Sequence, residues 1–515
     1  MNARAKKIIL FLLMAVLVFG AGQIQKSLNV DRERLGMTHM ATLDNAPPML
    51  AFTTVALGGF RGLISNFLWI RANDLQQDDK FFEAAQLANW ITDLEPHFSQ
   101  VWVFQGWNMS YNISVKFKDF PDRWRWVYNG ITLLRDKGLH YNPDDVLIYR
   151  ELAWDFQHKM GANLDDANIY YKNEWAREMA PFFGPQGTNF TALLNPQTLE
   201  EKTNALVLRE IYKIDPVFAE KVNEEWGPLD WRLPESHAIY WGSKGLDAAQ
   251  RNPDKVKPDD LIMLRRIIYQ SMQQAFYHGR VIADPYSQSG YSLGPNLDLV
   301  AKTSDSYLKS YAQETQPGQK NGILLAHRNF LRDAVYFLYE NYRMAEAAKW
   351  YKVLSDTYPD KIILDGDPTS FPKTMTMDEY AVRRVQLELN DTSEERTTAV
   401  VQGLLSNAYV ELAVGSDDRY EGFKNLVKEI YKHYDAKTSV GGKNTTRTPL
   451  PNYNDLNRSV LRDLLDPHDG LPFAARAVLR TQLGLPAETN SPVLVPPLAT
   501  STNADETVPT NSAAK

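Results

Sequence analysis

Between positions 226 and 241 the chain reads Trp226-Gly-Pro-Leu-Asp230-Trp231-Arg232-Leu-Pro-Glu235-Ser-His237-Ala-Ile-Tyr240-Trp241, its densest mixture of acids, imidazole and aromatic rings. A carboxylic acid within reach of a histidine has the parts for general acid–base catalysis, and tryptophan faces beside them would give a sugar ring something to stack on. Pro234 suits the first turn of a helix, which sets Glu235 at that helix's positive end. His237 and Trp241 then share one face at i, i+4. On an enzymatic reading Glu235 or Asp230 is the acid or base and His237 its partner. The favoured reading is a structural elbow, in which Asp230 pairs with Arg232, Glu235 compensates the helix terminus and the rings are core. What function it leaves is binding more than catalysis, with Trp226, Asp230, Trp231, Arg232, Glu235, His237 and Trp241 as candidate contacts. A glycan-acting enzyme remains the rival. It would need two carboxyls about 5 or 6.5–9.5 Å apart across a cleft, and Glu224, Glu225, Asp230 and Glu235 are the acids on offer.

Other chemistry is missing. The nine histidines are scattered, with no HExxH and no pair at i, i+4. Neither a GxSxG elbow nor a phosphate-binding G-x₄-GK[ST] occurs. Cysteine is absent, which excludes disulfides, thiolate metal sites and a cysteine nucleophile. Asp365-Gly366-Asp367-Pro368 could pass for an acidic metal loop but reads first as a turn, and Asp165-Asp166 reads as charge compensation at a helix start. No cofactor and no metal are expected. Eleven of the twelve tryptophans precede residue 242; such rings serve as partner anchors or glycan platforms, and several also sit at packing positions.

The elements that must position these residues are helices. Apolar periodicity predicts helices near 62–75, 81–94, 122–137, 199–212, 259–280, 377–389, 394–414, 420–434 and 454–465. Residues 181–196 and 284–295 read as loops, and period-two strand signals are lacking. Prolines pace the chain. Leu68 lies 28 residues before Pro96 and Trp102 six after it; Tyr149 follows Pro143 by six; Leu331 precedes Pro359 by 28. Trp102, Gly106 and Met109 fall at i, i+4 and i+7, with the glycine where neighbouring helices approach closely. Tyr149, Leu152, Ala153 and Phe156 repeat the first-helix pattern. Leu331, Ala334, Val335 and Leu338, followed by Ala347, Tyr351 and Pro359, make the fullest unit.

On these residues the chain resembles the tetratricopeptide repeat family, over some two-fifths of its length and in degenerate form, since Gly106 alone supplies the first-helix glycine. The resemblance implies an all-α fold of stacked helical hairpins forming a solenoid, a concave binding surface, and no particular reaction.

Bulk properties give the address. The net charge of −7, without a long basic run, argues against nucleic acid as a partner. Arg4, Lys6 and Lys7 precede an apolar run from Ile8 to Gly22, a signal peptide or, preferably, an uncleaved signal anchor. The expectation is a single-pass protein of a bacterial inner membrane with its body on the periplasmic side. A second largely apolar segment, Met49 to Ile70, carries Gly58, Gly59, Arg61 and Gly62. Arg61 argues against an independent span; the segment caps the helical stack, or its glycines form a membrane-proximal face that packs on a partner's helix. The expected organisation is 1–23 anchor or signal peptide, 24–46 linker, 47–180 first repeats, 181–320 irregular helical region, 321–485 second repeats and 486–515 disordered tail. The expected role is a scaffold or assembly factor binding a protein, possible partners including an integral membrane protein, with a glycan as the alternative ligand.

Overall fold

The computed structural model describes residues 61–283, 291–388, 394–438, 450–468 and 470–488, with the isolated positions Met14, Gly20 and Ile24. Apart from those positions, the expected anchor, the linker, Gly58, Gly59, the Arg61 side chain and residues 489–515 of the tail lie outside the described residues. The described residues are overwhelmingly helical. Among them no helix is long and apolar enough to cross a membrane. The chain divides into two compact units, residues 1–151 and 152–515.

In the first unit, α1 (Arg61–Gln77) and α2 (Phe81–Leu94) form a pair around the turn at Asp78–Lys80. Their contact uses small residues, with Ala72, Ala84 and Ala88 fully buried beside Ile91. Helix α3 (Ser99–Trp107) continues as π-helix to Ile113, and α4 (Phe120–Thr132) as π-helix to Gly138. Asp119 caps α4 by accepting from Asp122 N, and Pro121 occupies its first turn. The expected close approach at Gly106 is present: a Cβ on Gly130 of α4 would stand 3.0 Å from the Gly106 carbonyl oxygen.

The six-residue proline spacing has a physical cause. Trp102 Nε1 donates to the Pro96 carbonyl at 2.8 Å, and the Tyr149 hydroxyl donates to the Pro143 carbonyl at 2.9 Å. Proline ends one helix, since it cannot continue it. A side-chain donor about one turn into the next helix then satisfies the carbonyl left at the corner. Asn142 Nδ2 adds a second donor to Pro96 at 2.9 Å.

The boundary between the units falls within α5 (Val146–Trp154), which continues as π-helix to Gly161. In the second unit follow α6 (Asn168–Phe183), a short α7 (Phe190–Leu194), α8 (Leu199–Glu210), α9 (Pro216–Trp226), α10 (Pro234–Arg251) and α11 (Pro258–His278). Three of these open on proline, and α8 opens on a Thr198–Glu201 capping box. Beyond α11, β1 (Arg280–Ala283) pairs antiparallel with β2 (Tyr291–Gly294). This hairpin corrects the expected loop at 284–295, of which 284–290 lie outside the described residues. Four-residue strands are too short to show a period. The expected loop at 181–196 is also narrower, because α6 runs through Pro181 to Phe183 and α7 adds a turn.

Next come α12 (Val300–Gln313), α13 (Pro317–Glu340), α14 (Met344–Thr357), α15 (Met377–Glu388), α16 (Glu394–Ala413), α17 (Asp417–Thr438), α18 (Tyr453–Leu464) and α19 (Phe473–Gln482). One apolar core runs from Tyr269 to Leu479. The stripe read from sequence is its centre, with Leu331, Ala334, Val335, Leu338 and Ala347 all fully buried. Tyr351 is half-buried and its hydroxyl donates to the Met375 carbonyl at 2.7 Å.

Candidate functional site

The segment from Trp226 to Trp241 is the link between α9 and α10 plus the first half of α10. Asp230 and Arg232 form the expected pair. Arg232 Nε donates to Asp230 Oδ1 at 2.8 Å and Nη2 to Oδ2 at 2.6 Å, a bidentate arrangement. Two backbone amides, Arg232 N and Val281 N, donate to the same carboxylate at 3.1 Å each. Gly187 closes over it: Trp231 N donates to the Gly187 carbonyl at 2.9 Å, and Gly187 has φ +71°. A Cβ there would lie 2.1 Å from Asp230 Oδ1, so the residue must be glycine. On the other side Asn223 Oδ1 accepts from Leu229 N and Trp231 Nε1, at 2.9 and 3.2 Å.

The tryptophans are core. Trp226, Trp231 and Trp241 are buried, so none offers a ring face for a sugar. Trp226 is further covered by the Lys309 ammonium, 4.4 Å from its ring centroid. His237 is fully buried among Phe156, Trp175 and Trp231. Its Nε2 lies 2.9 Å from the Trp231 carbonyl oxygen. A carbonyl only accepts, so Nε2 carries the proton and Nδ1 is bare; Nδ1 has no hydrogen-bond partner. Burial lowers the pKa of this imidazole to about 4, against a small opposing pull from the Trp231 carbonyl, so it stays neutral through the physiological range.

Glu235 is placed where the sequence puts it, in the first turn of α10, but it does not pair with His237. Two residues apart on a helix, the side chains diverge by about 200°. Both Glu235 carboxylate oxygens are buried without a hydrogen-bond partner, and the side chain is 2% exposed. Burial raises its pKa, Lys172 and then its own backbone N–H oppose the rise, and the charge of Asp230 adds the smallest push upward.

Around Glu235 the fold gathers residues that sequence reading missed. Lys172 on α6 is 1% exposed and donates to Asn163 Oδ1 at 3.0 Å and Asn168 Oδ1 at 3.2 Å. Burial lowers its pKa, and Glu235 resists that. The Gln274 side-chain oxygen on α11 is also buried and unpartnered, as is that of Gln157 on the π-helical turn after α5. Gln274 Oε1 and Glu235 Oε1 both face Gly161, at 3.0 and 3.6 Å from where its Cβ would stand. Burial, then Lys172, holds His278 at about pKa 4. The available signal was the polar stripe Gln270, Gln274, His278 at i, i+4, i+8, on the far side of α11 from its apolar face.

Asp230 and Arg232 also stand in the wall of an open cleft of about 1060 Å³. Its other charged walls are Arg280, Asp298, Arg343 and the start of α17, where Asp417, Asp418 and Arg419 lie. Three of these six charges are matched. Arg343 pairs with Asp298 and Glu346 at 2.8 and 2.7 Å, and Arg419 with Glu411 at 3.1 Å.

The four acids offered to the glycan-acting rival do not face one another as catalytic carboxyls. Glu224 is exposed, Glu225 pairs with Lys309 at 2.9 Å, Asp230 is held by Arg232 and Glu235 is enclosed. Asp365-Gly366-Asp367-Pro368 is the expected turn, with Gly366 at φ +82°, Arg332 on Asp365 and Arg383 on Asp367. No group of three metal-ligating side chains occurs among the described residues. Ser304, His327 and Tyr358 do form a hydrogen-bonded chain at 2.9 and 2.8 Å, but Ser304 and His327 are buried in the core. In the second apolar segment of the sequence, Gly62 is exposed in α1 with open space beside it. No known protein family matches the chain, and comparison with curated proteins and with solved structures gives no match either.

Proposed function

We propose that the protein is a membrane-tethered, exported scaffold of helical hairpins, of tetratricopeptide-like solenoid architecture, that holds a segment of a partner protein in the cleft beside Asp230 and Arg232. The observation that supports this most is the cleft's size and chemistry. At about 1060 Å³ it stands at the upper end of small-molecule sites, which are typically about 300–1,000 Å³ and mainly apolar. Its walls instead come from loops and helix ends carrying charges of both signs, suited to many modest contacts with an extended chain. No activated nucleophile or facing acid pair lines it. The glycan reading draws no support from Trp226, Trp231 and Trp241, which are buried. The address is the N-terminal sequence's: a bacterial inner membrane, with the body on the periplasmic side.

Photo-crosslinkers placed at Gln186 and Leu297 in the cleft, and at exposed Lys202 as a control, test the reading in native membranes. Expected is one discrete protein adduct from both cleft positions, lost on reversing Asp417 and Asp418 to lysine and never seen from position 202. Equal labelling from all three positions would overturn it. Deleting the residues before Gln23 should release the protein from membranes, and continued integral association refutes a single N-terminal anchor.

A further inference from the structure

We infer that α1 of the first unit lies on the surface of a lipid bilayer, seated through Leu63, Phe67 and Ile70. These side chains are 65%, 69% and 61% exposed. At about 100° per residue they fall within about 60° of one another, opposite the Ser65, Ala72 and Leu75 face that is buried. Three large apolar side chains, one per turn and turned away from their own unit, mark an interaction surface.

The chain itself says what covers them. Residues 45–60, directly before α1, contain no charged residue and include Met49, Leu50, Phe52, Val55, Leu57 and Phe60. The stripe is therefore the end of a longer uncharged stretch. Helix α1 cannot be a span, because Arg71 and Asp74 interrupt it and both are exposed. The helix's other large side chains Leu68 and Trp69 pack on the unit's own core, so this exposed stripe, bracketed in sequence by Arg61 and Arg71, is the apolar surface that α1 offers to a membrane interface. A second copy of the chain is a poor occupant, because a stable dimer buries about 800 Å² per partner over 20–30 residues, far more than three side chains supply. The inference rests on the membrane-tether reading for the bilayer's being near, but it concerns a different contact.

The chain has no cysteine, so single cysteines report cleanly. Nitroxide labels at Leu63→Cys, Phe67→Cys, Ile70→Cys and, on the exposed polar side of α2, Gln86→Cys would be placed in the full chain. It is then reconstituted into phosphatidylethanolamine–phosphatidylglycerol vesicles. Power saturation should show the labels at 63, 67 and 70 several-fold less accessible to a water-soluble nickel chelate than the label at 86, and more accessible to oxygen. Co-flotation with nickel access at 67 equal to that at 86 overturns the seating of α1 and leaves the anchor intact. Failure of the chain to co-float overturns both. Spin–spin broadening at 67 with protection that persists in detergent would assign the face to a second copy and also overturn it.

Discussion

Glu235→Gln tests the interior of the second unit most directly. In the wild type both carboxylate oxygens are buried and unpartnered. Each such acceptor costs about 1–3 kcal/mol, and the ionised form costs more. An amide of the same shape removes the charge and brings N–H donors toward Gln274 Oε1, which shares the space over Gly161 and also lacks a partner. Against this, Lys172 loses its nearest opposing charge but keeps Asn163 and Asn168 as acceptors. The balance favours the variant by about 1–3 kcal/mol at pH 8. The pH dependence has a definite sign. The pKa of Glu235 is raised above 4.5 in the folded state, so the folded protein keeps a proton that the unfolded chain releases. Wild-type stability from this group is intact below 4.5 and falls as pH climbs toward the raised value. The variant's advantage should therefore be present at pH 8 and absent at pH 4. Urea denaturation of both proteins, followed by tryptophan fluorescence at the two pH values, measures it. A variant less stable than wild type at pH 8 refutes the reasoning, because the carboxylate would then be making a favourable contact. An advantage equal at both pH values would trace the effect to shape and not to charge.

Five further substitutions have worked-out directions. A Cβ on Gly422 of α17 would stand 1.7 Å from the Glu340 carbonyl oxygen, whereas one on Gly403 of α16 meets nothing within 4 Å. Gly422→Ala should thus destabilise the second unit by at least about 2 kcal/mol through overpacking, while Gly403→Ala stabilises it by up to about 1 kcal/mol through helix propensity; equal midpoints in urea would sink the contrast. Tyr149→Phe removes the donor to the Pro143 carbonyl and should cost about 1 kcal/mol; an unchanged unfolding midpoint for the first unit argues that the proline corner needs no second-helix donor. Arg384 Nη2 donates to Asp333 Oδ1 at 2.6 Å, and the Tyr277 hydroxyl donates to the same carboxylate. Both charged side chains keep some solvent, so Arg384→Met should cost about 2–3 kcal/mol, under the figure for a fully buried pair. Adding Asp333→Leu should recover part of that loss, and no recovery in the double-mutant cycle means the pair does not couple.

Helix periodicity was the legible part of this chain. Residues 81–94 are α2 to the residue, and the stripe from Leu331 to Ala347 is buried throughout. These helices bury one face against neighbours close in sequence, so the pattern and the packing carry the same information. The proline spacing was legible as a period, but its cause, a side-chain hydrogen bond at each corner, needs three dimensions. At the elbow the Asp230–Arg232 pair was readable because its members are two residues apart. Lys172 and Gln274 were not, because each comes to the neighbourhood of Glu235 from a different element and neither belongs to a local motif. The cleft was illegible for the same reason, since its walls are drawn from positions between 185 and 419.

The second unit is not uniform in how it treats polar groups. From Tyr269 to Leu479 its core is apolar, and within it Ser304, His327 and Tyr358 form a hydrogen-bonded chain. Near the start of α10, carboxylate, amide and imidazole groups are enclosed together. Glu235, Gln274, Gln157 and His237 each bury an acceptor with no partner. Replacing a single such group by an apolar residue of similar shape is nearly neutral or stabilising, so stability alone gives no reason for four together. What sets these four apart is position. Asp230, whose charge is felt at Glu235, stands in the wall of the cleft. A partner residue that displaces Arg232 from Asp230 would change the field at Glu235 and so its proton affinity. If the cleft holds a partner segment as proposed, the elbow carrying Asp230 and Arg232 is the element that segment meets, with the enclosed Glu235 on the helix that follows.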